Sequence, residues 1–298
     1  MKNIKIAILG ATSQIAKGLI FNFAQDNSVK LYLFARSPGK VRVFIRANAL
    51  PPAKVVSPFR DFKKGRYDLV INCVGIGSPL KLKEQGKQIF SLTEDFDNLV
   101  LGYLKNNPWA RYINFSSGAV YRLSADLKPQ DYYGIAKLHQ EAKHRALDKF
   151  HIVDLRVFSY FSRFAELDSG YFLTDLLKSI KEKRKFFVNP GNFIRDYINP
   201  DDLFNLIVCI IKAKPFNGAL DAYSLSSVSK FKLLKYFSKN RSLRYVIKRK
   251  GQVVSPTGEK GLYYPKSKSA SKLGYRPKFT SLQTVIKESK YLLSKVNG

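Results

Sequence analysis

The N-terminal segment constrains the fold more than any other part of the sequence. Lys2–Leu9 (KNIKIAIL) is a short β-branched run that continues directly into Gly10, and the amphipathic stretch Ile15–Phe23 follows. Strand, glycine turn and helix in this order are typical of the first unit of a dinucleotide-binding fold, in which the helix N-terminus offers amide hydrogens to a pyrophosphate. Ser13 and Ala16 stand where glycines are usual, so a plain strand–turn–helix unit is the alternative.

Further strands alternate with helical stretches along the chain. They are the apolar runs Val29–Ala35, Tyr67–Val74, Arg111–Phe115 and Phe150–Phe158. This spacing predicts an α/β fold with a doubly wound parallel sheet of the Rossmann type, whose ligands bind beyond the carboxyl ends of the strands. We expect residues 1–158 and 195–211 to form the dinucleotide-binding domain. Residues 159–194 and 212–298 would then form a smaller C-terminal substrate lobe.

The end of the second strand bears on the choice of cofactor. Arg36 and Ser37 follow this strand, and no acidic residue occurs between Lys30 and Arg46. A carboxylate at this position holds the ribose 2′-hydroxyl of NAD, whereas an arginine suits the 2′-phosphate of NADP. The position therefore favours NADP(H), with NAD(H) possible. A solvated surface arginine is the alternative.

A serine and a Tyr-x-x-x-Lys pattern lie sixteen residues apart, at Ser117 and at Tyr133 and Lys137. A tyrosine four residues before a lysine shares one helix face with it, so the ammonium can stabilise a phenolate and lower the tyrosine pKa. A serine hydroxyl from a neighbouring strand end could bond the same substrate oxygen. Together these groups suit proton transfer at a carbinol or a ketone.

Several motifs in order give the chain a resemblance to a known family. They are Gly10–Ala16 (a GATGFIG-like loop), Val70–Gly75 (VINCVG), Ser116–Tyr121 (SSGAVY), Tyr133–Lys137 (YGIAK), Leu155–Ser159 (LRVFS), Arg195–Leu203 (RDYINPDDL) and Lys268–Pro277 (KSASKLGYRP). With these the chain resembles the extended short-chain dehydrogenases/reductases of the NAD(P)-dependent sugar epimerase/dehydratase family. The match runs over nearly the whole length.

The resemblance implies roles for individual residues. Tyr133 would be the general acid/base, Lys137 would lower its pKa and hold the nicotinamide ribose, and Ser117 would polarise the substrate oxygen. Arg195 would bind the pyrophosphate of a nucleotide sugar, with Ser159 also at the substrate. The cofactor would be bound by Gly10, Thr12, Ser13, Gln14, Ile15, Arg36, Ser37, Val74 and Gly75, besides Tyr133 and Lys137.

Departures from the family pattern reduce the number of reactions that we expect the chain to catalyse. Dehydratases carry Asp-Glu directly after the active-site hydroxyl residue, but Gly118-Ala119 follows Ser117 here, which disfavours dehydration. An NADPH-dependent 4-keto-sugar nucleotide reductase and an NAD(P)-dependent C4 epimerase remain, and Arg36 favours the reductase. A non-catalytic NADP(H)-binding protein is a third alternative, against which the intact set of Ser117, Tyr133 and Lys137 argues.

The net charge is +30, from 52 basic and 22 acidic residues. Clustered lysine and arginine could bind nucleic acid, yet no nucleic-acid-binding motif accompanies them, so we expect no specific nucleic-acid partner. Steering of anionic substrates and peripheral attraction to anionic surfaces, where glycan (polysaccharide) assembly takes place, are the alternatives. A compositional bias without function is the simplest explanation.

The remaining features set broad limits. Cys73 and Cys209 lie in apolar runs and do not indicate a disulfide framework. His139 and His144 are not four residues apart, so we expect no metal site.

Without a signal sequence or an apolar span, the expected compartment is the cytoplasm. Relatives in the family often dimerise through the Tyr-x-x-x-Lys helix, which predicts a homodimer.

Overall fold

The computed structural model describes residues 3–53, 55–76, 78–123, 126, 131–248 and 261–294. The β-strands are β1 (Ile4–Leu9), β2 (Val29–Phe34), β3 (Val55–Ser57), β4 (Leu69–Asn72), β5 (Arg111–Ser117), β6 (His151–Val157), β7 (Ser159–Tyr160), β8 (Phe186–Val188), β9 (Ile194–Arg195), β10 (Tyr197–Ile198), β11 (Gly218–Ala222), β12 (Val228–Ser229), β13 (Tyr245–Ile247) and β14 (Leu262–Tyr263).

The α-helices of the described residues are α1 (Gln14–Phe23), α2 (Pro38–Ala47), α3 (Pro79–Gln85), α4 (Ile89–Asn106), α5 (Tyr132–Arg145), α6 (Phe172–Lys181), α7 (Pro200–Lys212), α8 (Lys230–Arg241) and α9 (Ser281–Ser294). Short 3₁₀ turns lie at Phe59–Lys64, Gly86–Gln88, Gly118–Arg122, Leu167–Ser169 and Ser269–Leu273. None of the helices in these ranges is both long and apolar enough to cross a bilayer.

A seven-stranded sheet organises the molecule, in the order β11-β6-β5-β4-β1-β2-β3. All of its pairings are parallel. The predicted doubly wound α/β fold is therefore confirmed. The predicted strands lie where they were expected, although β4 is shorter than Tyr67–Val74 and β5 extends beyond Phe115 to Ser117.

Both faces of this sheet are buried, as the alternation in β1 illustrates. Ile6 and Ile8 belong to the core on one face, whereas Ala7 and Leu9 belong to the core on the other. Each of these side chains is fully buried. A strand segment covered on both sides is apolar at successive positions, which explains the continuous run Ile6–Leu9.

A second, smaller core lies among the C-terminal elements. It contains side chains from α6, α8 and α9, including Leu177, Leu233 and Val285. Its strands are only two or three residues long and form three small sheets, β10-β7, β12-β9-β14 and β13-β8. Strand β11 lies in the large sheet instead, although it falls within residues 212–298, the segment assigned from sequence to the substrate lobe.

Candidate active site

The serine of the site is part of β5, at the carboxyl edge of the large sheet. Ser117 is the last residue of this strand and is 4% exposed. Its Oγ accepts a hydrogen bond from the Ala119 amide at 3.2 Å and lies 2.9 Å from the hydroxyl oxygen of Tyr263. The side chain is thus held on two sides, which fixes the direction in which it presents its hydroxyl.

The residue after the serine has no room for a side chain. A Cβ on Gly118 would lie 2.3 Å from ring atoms of Phe158, far inside van der Waals contact. The Asp-Glu pair of dehydratases, which was missing from the sequence, is therefore sterically excluded at its first position. This gives a structural reason why the site disfavours elimination of water.

Helix α5 carries the Tyr-x-x-x-Lys pair, with Tyr133 in its first turn and Lys137 one turn later. Lys137 is 4% exposed, and its Nζ donates a hydrogen bond to Gln140 Oε1 at 3.1 Å. Burial lowers the pKa of Lys137 to about 8, against the opposing effect of Asp154, Asp97 and Glu141. The ammonium is still the main form at neutral pH.

The sequence led us to expect a lowered pKa for Tyr133, and the structure differs. Burial raises the pKa of Tyr133, and a hydrogen bond with Ser117 only partly opposes this rise. The physical reason is desolvation, since a phenolate loses its hydration in this cleft. The Lys137 ammonium is engaged by Gln140 instead. Tyr133 is thus a neutral phenol in this state.

Two further tyrosines lie at the site that sequence reasoning did not identify. Tyr263 of β14 reaches Ser117, and its burial raises its own pKa. Tyr171, which precedes α6, interacts electrostatically with Tyr133, Tyr263 and Arg195. No local pattern marks either residue, because Ser117 and Tyr263 are 146 positions apart. Both tyrosines come from the C-terminal part of the fold, which therefore lines one side of the site with two phenol rings.

Arg195 of β9 lies beside these two tyrosines. Its guanidinium lies over the Phe193 ring at 4.4 Å and interacts with Tyr197. Its Nε is buried and reaches no hydrogen-bond acceptor within the described residues. A buried N–H without an acceptor is costly, so an anionic ligand oxygen would suit this position. Ser159, the other expected substrate residue, lies half-buried in β7, paired with Tyr197 of β10.

The predicted phosphate loop lies between β1 and α1 at the same edge of the sheet. Gly10 has φ +74°, and a Cβ there would come within 2.9 Å of the Cys73 carbonyl and the Val74 amide nitrogen. Glycine is thus required for the turn and for close approach to the end of β4. Ser13 caps α1 by accepting from the Ala16 amide at 3.2 Å.

The other expected cofactor residues surround this loop. Gln14 donates to Ser162 Oγ at 3.3 Å, and Thr12 and Ile15 are half-buried. Gly75 is exposed, with no atom within 4 Å of an added Cβ. Arg36 and Ser37 are exposed between β2 and α2. Open space along the sheet edge and one helix N-terminus fit a dinucleotide.

A buried ionic cluster lies behind the site and was not foreseen from the sequence. His144, on the same helix as Lys137, is fully buried between Asp97 of α4 and Asp154 of β6. Its Nε2 lies 2.7 Å from Asp97 Oδ1, and its Nδ1 lies 2.9 Å from Asp154 Oδ1. Burial alone would lower the pKa of His144, but the two carboxylates outweigh it and raise it to about 9. His144 is therefore charged at neutral pH.

Comparison with known proteins agrees with this geometry. The sequence model of the NAD dependent epimerase/dehydratase family matches residues 6–223. No curated protein matches the chain in sequence.

Solved structures are similar over the whole chain. A mutant UDP-glucuronic acid 4-epimerase from Bacillus cereus, in complex with UDP-4-deoxy-4-fluoro-glucuronic acid and NAD, superposes with a TM-score of 0.81 at 18% identity, covering 97% of this chain and 99% of that one. A UDP-N-acetylglucosamine 4-epimerase from Methanobrevibacter ruminantium, in complex with UDP-N-acetylmuramic acid, gives 0.77 at 16% identity, covering 99% of both chains. A UDP-glucose 4-epimerase from Bifidobacterium longum, in complex with NAD+ and UDP, gives 0.75 at 17%, covering 96% and 97%.

Proposed function

Because the chain belongs to the NAD-dependent epimerase/dehydratase family, we propose that it is a C4 epimerase of a nucleotide-activated sugar. The sequence alone favoured a 4-keto-sugar reductase, on the evidence of Arg36. The similar structures are 4-epimerases and support the epimerase better. The observation that carries the proposal is the grouping of Ser117, Tyr133 and Lys137 at one sheet edge, beside Arg195.

The three residues divide the proton chemistry among them. Tyr133 would take the proton of the C4 hydroxyl as the keto group forms and return it when the opposite face is reduced. Ser117 would donate its proton to the same sugar oxygen while accepting from Tyr263. A bound nicotinamide dinucleotide supplies the hydride acceptor and donor and, when oxidised, a positive charge that favours the phenolate. Lys137 adds a second positive charge and has N–H groups to offer a ribose.

Two features support a nucleotide sugar as the substrate. The buried Nε of Arg195 offers a donor to a pyrophosphate oxygen. Tyr171 and Tyr263 offer flat, partly polar surfaces on which a sugar ring can lie and be turned over. Ser159 would contact the sugar from β7. An epimerase has to present both faces of the keto intermediate, so contacts that do not lock one orientation are an advantage.

NADP(H) is the proposed cofactor. Arg36 and Ser37 are exposed at the end of β2, and residues 30–46 contain no carboxylate for a ribose 2′-hydroxyl. Three of the similar 4-epimerase structures are complexes with NAD, so the preference needs a direct test. Calorimetry should give tighter binding of NADP+ than of NAD+, and Arg36→Asp should reverse the order. Tighter binding of NAD+ to the unaltered protein would identify an NAD epimerase.

We also propose that the protein is a homodimer through α4 and α5. The outward side of α5 exposes Leu138, Ala142 and Ala146, and α4 exposes Phe90. Sedimentation velocity should give a dimer that Leu138→Glu converts to a monomer. A monomeric unaltered protein would contradict the proposal.

The epimerase proposal is tested by incubating the protein with UDP-glucose, UDP-glucuronic acid or UDP-N-acetylglucosamine and either dinucleotide. NMR should detect the C4 epimer with no net change in cofactor redox state. Tyr133→Phe should abolish conversion. The matched control is Tyr132→Phe, which loses only a hydrogen bond from the hydroxyl to the Leu82 carbonyl (3.1 Å) and should stay active.

Two outcomes would overturn the epimerase. Stoichiometric consumption of NADPH with a 4-keto-sugar nucleotide, without C4 inversion, would identify the reductase. Binding of NADPH with no turnover of any of these compounds would identify a non-catalytic protein.

A further inference from the structure

A large share of the positive charge lies in two segments that the fold brings together. Residues 178–185 carry five basic side chains and Glu182, and residues 231–248 carry six basic side chains and no acidic one. The parallel pairing of β8 with β13 places these segments side by side. The resulting surface is strongly cationic, and it lies away from the Ser117–Tyr133 site in sequence and in sheet membership.

The centre of this cationic surface is apolar. Phe186 and Val188 of β8 point into the second core, whereas Phe187 between them is 41% exposed. On β13, Val246 lies opposite Phe187 and is 39% exposed, whereas Ile247 lies opposite Val188 on the other face of the sheet. We call Phe187 and Val246 the apolar centre.

Basic side chains flank the apolar centre along both strands. Lys185 and Arg244 are exposed just before β8 and β13. Lys248 follows β13, and its Nζ lies 4.0 Å from the centroid of the Phe187 ring. Arg244 donates a hydrogen bond to the Lys183 carbonyl, which ties the two segments together. Apolar side chains are thus placed between cations on a supported two-stranded sheet.

We propose that this face docks on the surface of an anionic phospholipid bilayer. Exposed aliphatic and aromatic side chains can enter the boundary between headgroups and acyl chains, while lysines and arginines beside them pair with lipid phosphates. A juxtamembrane cluster of basic residues is attracted by the negative surface potential of such a membrane. Both contributions are present here, at the same place on the molecule.

The composition of the apolar centre favours a bilayer over a nucleic acid. Single-stranded nucleic acids bind basic grooves through bases stacked on aromatic faces. One face of the only ring in the apolar centre is covered by Lys248. Val246 offers no stacking plane, but its hydrophobic burial in lipid is favourable.

Vesicle co-sedimentation of the full chain tests the proposal. The protein should sediment with mixed phosphatidylcholine and phosphatidylglycerol vesicles, and should not sediment with phosphatidylcholine alone. The double variant Phe187→Ser/Val246→Ser keeps every charge and should weaken partitioning about tenfold. The triple variant Lys185→Gln/Arg241→Gln/Lys248→Gln keeps the apolar centre and should weaken it by more than that, with a loss of salt dependence.

A matched control lies on α2, beside the large sheet. Val43 of α2 is 56% exposed and stands among the exposed basic residues Lys40, Arg42 and Arg46. Val43→Ser should leave vesicle binding unchanged. Cofactor binding and thermal unfolding of every variant would show that each is folded.

Three results would overturn the proposal. The first is equal vesicle binding by the Phe187→Ser/Val246→Ser variant and the unaltered protein. The second is failure to sediment with anionic vesicles at all. The third is displacement of the protein from vesicles by single-stranded RNA at equal phosphate concentration, which would identify a nucleic-acid surface. None of these depends on turnover of a nucleotide sugar.

Discussion

Helix α5 buries a cation near each of its ends, and the two surroundings differ. His144, near the C-terminal end, lies between Asp97 and Asp154, and both carboxylates accept further hydrogen bonds, from Tyr112 and from Asn114. Lys137, nearer the N-terminal end, donates to one neutral amide oxygen, that of Gln140. The fold therefore neutralises one buried cation fully and the other only partly.

The difference separates a histidine whose two ring nitrogens are both engaged from a buried ammonium with one acceptor among the described residues. A buried cation with two anionic partners holds α4, α5 and β6 together and has no capacity left for a ligand. A buried ammonium with a single described acceptor has N–H groups to offer, and its charge acts on whatever lies nearby. The pKa values agree with this distinction, since that of His144 rises to about 9 and that of Lys137 falls to about 8.

The largest expected effect is on kcat, and it comes from Lys137 in the N-terminal half of α5. Lys137→Met should lower kcat by about 10³- to 10⁴-fold, because Tyr133 loses the adjacent positive charge. Its unfolding free energy should not fall, since a buried and weakly compensated charge is removed. Steady-state kinetics and urea unfolding measure the two quantities.

The control for this prediction is Lys143→Met on the same helix. Lys143 bonds Glu94 at 3.0 Å and Asp97 at 2.7 Å, so its loss should affect stability and not kcat. A fully active Lys137→Met protein would contradict the comparison.

The second-largest expected effect is on the free energy of unfolding, and it comes from His144 near the C-terminal end of α5. His144→Ala should lower the free energy of unfolding by about 3 to 4 kcal/mol, because Asp97 and Asp154 lose a buried counter-charge. Urea unfolding measures it. His139→Ala is the control, since that side chain is 60% exposed and 3.7 Å from Glu94, and it should change stability by less than about 0.5 kcal/mol. Equal effects of the two variants would contradict the assigned role of His144.

The pH dependence of stability should show both cations, with opposite signs. His144 has a folded pKa of about 9, above its ordinary 6.5, so its contribution is complete below pH 6.5 and is lost as the pH rises to 9, by on the order of 3 kcal/mol. Lys137 has a folded pKa of about 8, below its ordinary 10.5, so its burial penalty is relieved between pH 8 and 10.5. Stability should therefore fall from pH 6.5 to 8, stay level from pH 8 to 9, where the two contributions cancel, and rise from pH 9 to 10.5, where only that of Lys137 still changes.

Unfolding measured between pH 6 and 10 checks this profile. The fall should disappear in His144→Ala, whereas in Lys137→Met it should continue to pH 9, with no rise above that pH. A flat profile for the unaltered protein would show that His144 is not charged in the folded state.

The smallest effect concerns the single acceptor of Lys137. Gln140→Leu removes that acceptor and should lower kcat about tenfold, as expected for one lost buried hydrogen bond. Gln140→Glu keeps an acceptor and should retain most of the activity. Steady-state kinetics of the two variants test this prediction. Equal kcat values for Gln140→Leu and Gln140→Glu would show that Gln140 does not position the ammonium.

The parallel sheet and the edge where the candidate site lies could be predicted from the sequence because they depend on local patterns. Buried strands such as Leu69–Asn72 are continuous apolar runs, and the residues at the end of each strand lie at one edge. The Tyr133–Lys137 spacing likewise specifies one helix face. Their placement followed from short-range periodicity alone.

The remaining features depend on partners that are far away in sequence. His144 lies 47 positions from Asp97, so its charge could not be inferred from neighbours. The two-residue strands β9 and β14 form only by pairing within the small sheet β12-β9-β14, and this sheet brings Tyr263 to Ser117. The pKa of Tyr133 depends on burial, which the Tyr-x-x-x-Lys pattern does not report.

The contact between Gly118 and Phe158 also limits how this chain could change its chemistry. A carboxylate at position 118 has no space while the ring at 158 is present. The ring would have to be replaced by a smaller side chain first, and only then could an acidic residue follow. The order of the two substitutions is thus fixed by sterics, and the intermediate with a small residue at 158 must survive the loss of a buried aromatic side chain. Packing of the ring at 158 therefore blocks the substitution at position 118 with which a change toward elimination of water would begin.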